Sequence, residues 1–230
     1  MQPYFMPYMG YWQLLAAVDR YVVYDDVNFI KQGWVNRNRI LVNGKPGYIN
    51  VPMLGAGSNR KINEIGVNND MRLVRKNLRM IGNLYGKAPY YREVSALLEA
   101  VLSCGKDNLA EYLTESIKAV CGYLGIGTEL VISSSLDKDC SLKGQDKVLE
   151  ICRLLGADEY YNAIGGRELY SGGAFAEKGI SLKFLQTDDL EYAQFGQGFV
   201  GNLSIIDVMM FNSVREIKEM LEKYTLVPGA

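Results

Sequence analysis

The chain has 230 residues, 48% apolar and 22% charged, with a net charge of −1. Such a composition is ordinary for a globular chain that can bury one full core, and no run approaches the ~18 apolar residues of a membrane helix. Histidine is absent, which removes the commonest general base, the commonest transition-metal ligand and every histidine-dependent triad.

Cys104, Cys121, Cys140 and Cys152 lie far apart with no C-x-x-C spacing. Reduced thiols are expected, and zinc or thioredoxin-type chemistry is not. No charged-then-apolar-then-small leader pattern opens the chain, so a cytoplasmic location is expected. The charges are segregated. Residues 1–92 carry 13 Lys and Arg against 5 Asp and Glu, whereas residues 93–230 carry 12 against 21. An anionic small molecule near the N-terminal half would explain this, as would attraction between the halves.

The first forty residues hold both tryptophans and nine of the 25 aromatic rings, interleaved with prolines, amides, acids and guanidiniums. That mixture suits a pocket that stacks on and hydrogen-bonds a polar ligand. Pro3 and Pro7 exclude regular structure at the start. Tyr11, Leu14, Leu15 and Val18 then mark one face of a helix beginning near Gly10. Tyr21 to Tyr24 reads as a buried strand with Asp25 and Asp26 at its carboxyl end, where ligands bind in open α/β sheets.

Trp34 to Leu41 alternates, Asn43 to Gly47 is a turn, and Tyr48 to Met53 returns, which together predict a hairpin. Ile62, Ile65 and Val67 suggest a further short strand. Basic and apolar residues alternate at helical spacing from Met71 to Leu84, and a second helix spans Val94 to Leu102. Beyond it the chain alternates helix and strand. Helices are expected at 109–124, 144–155 and 169–178, and strands at 129–133, 159–163 and 181–185. Such alternation implies parallel strands with crossover helices. Ser204 with Asp207 and Ser213 with Glu216 have capping-box spacing and predict two C-terminal helices.

The expected architecture is therefore a single α/β domain over 1–230. It would hold a Rossmann-like sheet of mainly parallel strands with flanking helices. A β-hairpin insertion, an irregular basic subregion at about 31–92 and C-terminal helices complete it. Arg37 and Arg39 project to one side of an extended segment, as a bidentate phosphate or carboxylate clamp requires, although ion pairing would serve equally. Asp25 and Asp26 could act as base, amine anchor or turn residues. Too few further oxygen ligands accompany them for a metal to be expected. Gly165-Gly166 follows a strand and could cradle phosphate, or form a plain left-handed turn. Ser133 to Ser135 occupies a similar place, and capping alone accounts for Asp207.

Several stretches together resemble the WbqC-like family of bacterial proteins. They are Gln2-Pro3-Tyr4-Phe5 with Pro7-Tyr8 and Gly10-Tyr11, Tyr24-Asp25-Asp26-Val27, and Lys31 with Gly33-Trp34 and Asn36-Arg37-Asn38-Arg39-Ile40. Lys87-Ala88-Pro89-Tyr90, Gly165-Gly166 with Leu169-Tyr170, and Leu203-Ser204-Ile205-Ile206-Asp207 follow. The resemblance implies a role in building O-antigen and related surface polysaccharides. It also implies a short apolar strand ahead of Gln2-Pro3; this sequence starts at Met1, so either that strand is missing, which would leave one sheet position empty, or the start was chosen late. A strand, loop and helix followed by a strand ending in acids is similar in fold to nucleotidylyltransferases, but their H-x-G-H signature is lacking.

The expected activity is acyl or aminoacyl transfer to a nucleotide-linked amino sugar, with Asp25 and Asp26 catalytic. Substrate contacts are expected from Gln2, Tyr4, Tyr8, Gly10, Tyr11, Lys31, Trp34, Asn36, Arg37, Asn38, Arg39, Gly165 and Gly166. A non-catalytic binding module and a transferase recognising aminoacyl-tRNA through the basic helix are the alternatives. No cofactor can be named, a homo-oligomer is possible, and nucleic acid is the less favoured partner.

Overall fold

Pro3 and Pro7 keep the first eight residues irregular, and helix α1 (Met9–Ala16) starts directly after them. The computed structural model describes residues 1–196 and 198–229. Strand β1 (Arg20–Val23) follows α1. Strands β2 (Arg37–Val42) and β3 (Lys45–Asn50) then form the expected antiparallel hairpin. Its two-residue turn is Asn43-Gly44, with φ of 50° and 75°. Both residues sit in the left-handed region that a tight hairpin turn demands, which is why Asn-Gly stands there.

Short strands β4 (Met53–Leu54) and β5 (Gly66–Val67) pair antiparallel. Helices α2 (Met71–Tyr85), α3 (Tyr91–Leu102) and α4 (Leu109–Leu124) come next. Asp70 caps α2 by accepting from the Arg72 amide, and Asn108 caps α4. Strand β6 (Glu129–Ile132), helix α5 (Gly144–Leu155), strand β7 (Glu159–Ala163), helix α6 (Gly172–Ala176) and strand β8 (Ser181–Thr187) then alternate. Helices α7 (Ile205–Phe211) and α8 (Val214–Leu221) precede a last strand, β9 (Tyr224–Pro228).

The fold is mixed α/β with small sheets. Strands β1 and β6 pair parallel, with Val23 opposite Ile132. Strands β7 and β8 also pair parallel, and β9 adds antiparallel to the far edge of β8. Among the described residues three of the five strand pairs are antiparallel. The expectation of mainly parallel strands is corrected accordingly. Met1 lies beside β1 in parallel register with Val23: its amino nitrogen donates to the Val22 carbonyl (2.8 Å), and its carbonyl accepts from the Tyr24 amide (2.8 Å).

Helix α5 runs antiparallel to β1. The Arg20 guanidinium, at the entry of β1, reaches the carbonyl of Leu155 at the end of α5 (3.0 Å). At the exit of β1, Lys147 in the first turn of α5 pairs with Asp26 (2.9 Å). A large core joins the N-terminal arm, α1, the hairpin, α2 to α4, α7 and α8. A smaller one gathers Val148, Cys152, Phe175, Ile180, Leu182 and Phe184 between α5, α6 and β8. Among the described residues no helix is long and apolar enough to cross a membrane.

Candidate functional site

The arm and the hairpin are laced together through the main chain. Phe5 N donates to Val35 O (3.0 Å), Asn38 Nδ2 donates to Phe5 O (3.1 Å), and Ser204 Oγ donates to Met6 O (2.6 Å). Ile205 N donates to Pro7 O (2.9 Å) and Ser204 N to Arg39 O (2.7 Å). The arm, β2 and the residues leading into α7 therefore share one scaffold. Tyr11 and Asn38, expected at the ligand, are spent on it. Both are buried, Tyr11 among the rings of Tyr4, Trp12 and Tyr21, and its hydroxyl donates to Gln2 O (3.2 Å). Asn36 is half-buried and donates to Val51 O (3.3 Å).

Arg37 and Arg39 lie on one side of β2, as the alternation requires. The Arg37 guanidinium stacks over Tyr48, 4.7 Å from the ring centre, and donates to the carbonyls of Gly33 (3.2 Å) and Gln32. That of Arg39 stacks over Trp34 at 5.4 Å and donates to Asn202 O (3.0 Å), while its buried Nε has no partner. Neither makes an ion pair with a carboxylate among the described residues. Among the described residues, two cations held over aromatic rings and bonded to carbonyls rather than carboxylates keep their charge available to an anion. Lys31 is exposed just before this face.

Asp25 and Asp26 lie at the carboxyl end of β1, facing the 3-10 turn Ser133–Ser135 that ends β6. Asp25 is buried. Its Oδ1 accepts from Ser134 N (2.9 Å), and its Oδ2 accepts from Ser134 Oγ (2.6 Å) and Asn63 Nδ2 (3.3 Å). Asp26 Oδ2 meets Lys147 Nζ (2.9 Å) and Lys138 Nζ (3.1 Å), and its Oδ1 accepts from Ser133 Oγ (2.7 Å). Burial pushes the Asp26 carboxyl up. The hydrogen bonds from Lys147, Ser133 and Lys138 outweigh that push and hold it below the ordinary carboxylate range. Lys147 also lies over the Tyr24 ring, 4.7 Å from its centre.

Sequence reasoning missed Lys138 and Lys147. Lys147 left a signal: with Val148, Ile151 and Cys152 it falls on the buried stripe of α5, where a lysine is out of place. Lys138 left none. No hydrogen bond or ion pair among the described residues joins this acid–lysine cluster to Arg37 or Arg39. The arm and the arginine strand converge, and the twin acids form a second centre.

A cleft of about 760 Å³ opens beside the arm, between the start of α1 and the segment after β8. Tyr8 and Gly10 line it, and Asn202, which takes the Arg39 hydrogen bond, lies on its rim. A Cβ on Gly10 would stand 2.6 Å from Thr187 Oγ1 and 2.7 Å from Tyr8 Cε2. Glycine is therefore required for close approach, not for an unusual φ. Gly10→Ala is expected to destabilise by roughly 1–3 kcal/mol through overpacking, despite alanine's higher helix propensity. A melting temperature equal to or above wild type would contradict that packing.

Gly165 and Gly166 stand in a 3-10 helix, Ile164–Leu169, after β7. Neither has positive φ, so the left-handed turn is corrected. A Cβ on Gly166 would lie 3.2 Å from Asn162 Nδ2. The 169–178 helix likewise shrinks to α6, because this 3-10 segment precedes it. Asp207 is not a cap. Ser204 caps α7 through the Ile206 amide (3.2 Å), while the Asp207 carboxylate turns inward to Tyr85, Tyr192 and Gln194. Ser213 and Glu216 do form the expected capping box.

These features define a mixed α/β protein whose candidate ligand surface combines an irregular N-terminal arm with a hairpin of stacked guanidiniums. Comparison with known families is more specific. The model of the WbqC-like protein family matches residues 2–219, and the chain belongs to that family. It is similar to the uncharacterized protein Rv1507c of Mycobacterium tuberculosis, 28% identical over 224 residues, which cover 96% of this chain and 95% of that protein. No solved structure matches.

Proposed function

We propose that the protein is a cytoplasmic transferase of bacterial surface polysaccharide biosynthesis. It would move an acyl or aminoacyl group from an activated donor to the amine of a nucleotide-linked sugar: the amide C–N bond forms, the bond between acyl group and carrier breaks, and the carrier leaves. The observation that carries this reading is the pair of stacked guanidiniums without carboxylate partners among the described residues. Arg37 and Arg39, helped by Lys31, hold the diphosphate, and Trp34, Tyr4 and Tyr8 supply rings for the base or sugar. Gln2, Asn36 and the Gly165-Gly166 backbone contribute further polar contacts.

Asp25 serves as proton acceptor for the amine, since its partners are neutral donors. Asp26, gripped by two ammonium groups, orients Lys138 and Lys147 toward the same edge. The two parallel strand pairs act as parts of one Rossmann-like sheet. The antiparallel run of α5 along β1 supports this arrangement, which puts both acids at the carboxyl edge where such sheets bind ligands.

The test is a screen of purified protein against nucleotide-linked amino sugars with acyl and aminoacyl donors, read by mass spectrometry. A mass gain on the sugar is expected, lost in Asp25→Asn and reduced at least about 100-fold in Arg37→Ala/Arg39→Ala. Thermal stabilisation by the sugar nucleotide with no product from any donor would leave a binding module and reject transfer. Neither stabilisation nor product would reject the reading altogether.

A further inference from the structure

The cleft beside Tyr8 has a chemistry that the stacked arginines do not share. Its volume, about 760 Å³, lies within the range of small-molecule sites, roughly 300–1,000 Å³. Three rings, Tyr8, Tyr192 and Phe199, face it together with three acids, Asp188, Asp189 and Glu191. No lysine or arginine is among the lining residues. Among the described residues none of these acids is in an ion pair. Among the described residues the Asp188 side chain accepts only from the Thr225 hydroxyl, at 3.4 Å.

Carboxylates without cationic partners repel a phosphate and attract an ammonium group, and aromatic faces add cation–π attraction for that same group. The walls are braced. Tyr192 packs edge-on against Phe199 with ring centres 5.1 Å apart, and its hydroxyl donates to the buried Asp207 (2.8 Å). Gln194 ties the same loop to Asp207 (2.7 Å) and to the Val200 amide (2.8 Å). The site is therefore shaped before any ligand arrives, which lowers the ordering cost of binding.

We propose that this cleft binds a protonated amine carried on a sugar-sized ring. The rim supports the assignment, because Asn202 both lines the cleft and accepts the Arg39 hydrogen bond. Asn202 thus joins the cleft to the Arg39 guanidinium, and the three acids line it as exposed carboxylates. The amine bound here is a second cationic group, distinct from the one that gives its proton to Asp25, and its recognition does not rest on the proposed function.

The probes are glucosamine and N-acetylglucosamine, which share a ring but differ in whether the nitrogen is charged. Binding to the full chain is followed by amide chemical shifts. Glucosamine is expected to bind at least about tenfold tighter than its acetylated form, with shifts centred on residues 187–192 and 199–203. Asp189→Asn/Glu191→Gln, with its melting temperature unchanged, is expected to erase that preference. Equal binding of the two sugars, shifts centred elsewhere, or a preference that survives the double variant would overturn the proposal. If that variant does not fold, Tyr8→Leu takes its place and must weaken glucosamine binding. Uridine diphosphate is titrated in parallel with Arg37→Ala/Arg39→Ala. Glucosamine binding without nucleotide binding keeps this site and rejects the phosphate reading, and the converse rejects the amine site alone.

Discussion

Asp26→Ala is expected to cost the fold roughly 3–5 kcal/mol, the usual penalty for removing one partner of a buried charge pair. Two ammonium groups depend on this carboxylate, and the Lys138 side chain is only 1% exposed. Without Asp26, Lys138 keeps the Ser133 carbonyl and Lys147 keeps the Asp26 carbonyl, but neither retains a counter-charge. Two like charges then face each other at the junction of β1, β6 and α5. Urea denaturation should show a much lower midpoint with an unchanged slope. The pH dependence follows from the lowered Asp26 pKa. Its contribution is present above the ordinary value of 3.8 and is lost as pH falls through the folded value. Wild type should therefore lose stability in that acid window more steeply than Asp26→Asn. An unfolding free energy within about 0.5 kcal/mol of wild type would show that the lysines do not need this carboxylate.

Asp207→Ala is expected to have an effect of similar size, by a different route. This fully buried carboxylate accepts from Tyr85 Oη (2.7 Å), Tyr192 Oη (2.8 Å) and Gln194 Nε2 (2.7 Å), and makes no ion pair among the described residues. Truncation leaves those donors short of an acceptor and opens a void, at a cost of about 3 kcal/mol or more. Tyr85 in turn receives the Leu41 amide (2.8 Å), so the loss reaches the hairpin. Tyr192→Phe removes a single donor and should cost only about 1 kcal/mol. The pH sign is opposite to that of Asp26. Burial raises the Asp207 pKa, and the hydrogen bonds from its three partners only partly offset it. Its contribution is fully present below 3.8 and is lost as pH rises through the folded value. Asp207→Asn should flatten that decline. Equal costs for Asp207→Ala and Tyr192→Phe would contradict the three-donor network.

Local features were legible in the sequence where one element dictates its own geometry. Asn43-Gly44 announced the hairpin turn. The apolar stripes announced α4 and α5, and Ser213 with Glu216 announced the cap of α8. The sheet was less legible, because strand pairing is decided by contacts between distant segments. No strand was expected at Tyr224–Pro228, yet it pairs with β8, where an edge strand tolerates proline. The arm and the arginine strand stood out as candidates because their residue types conflict with a plain core. Lys138 was not, since a lone lysine in a loop reads as solvated until the fold folds it over Asp26. Asp207 was misread for a related reason: capping spacing is a local pattern, whereas its partners come from α2 and from the segment after β8.

The most direct measurement is a crystal structure of the protein with a nucleotide-linked amino sugar. The account expects the diphosphate oxygens within hydrogen-bonding distance of the Arg37 or Arg39 guanidinium, with the rings of Trp34 or Tyr8 against the ligand. Phosphates bound instead at Lys138 and Lys147, with both arginines still donating to the carbonyls of Gly33 and Asn202, would contradict it.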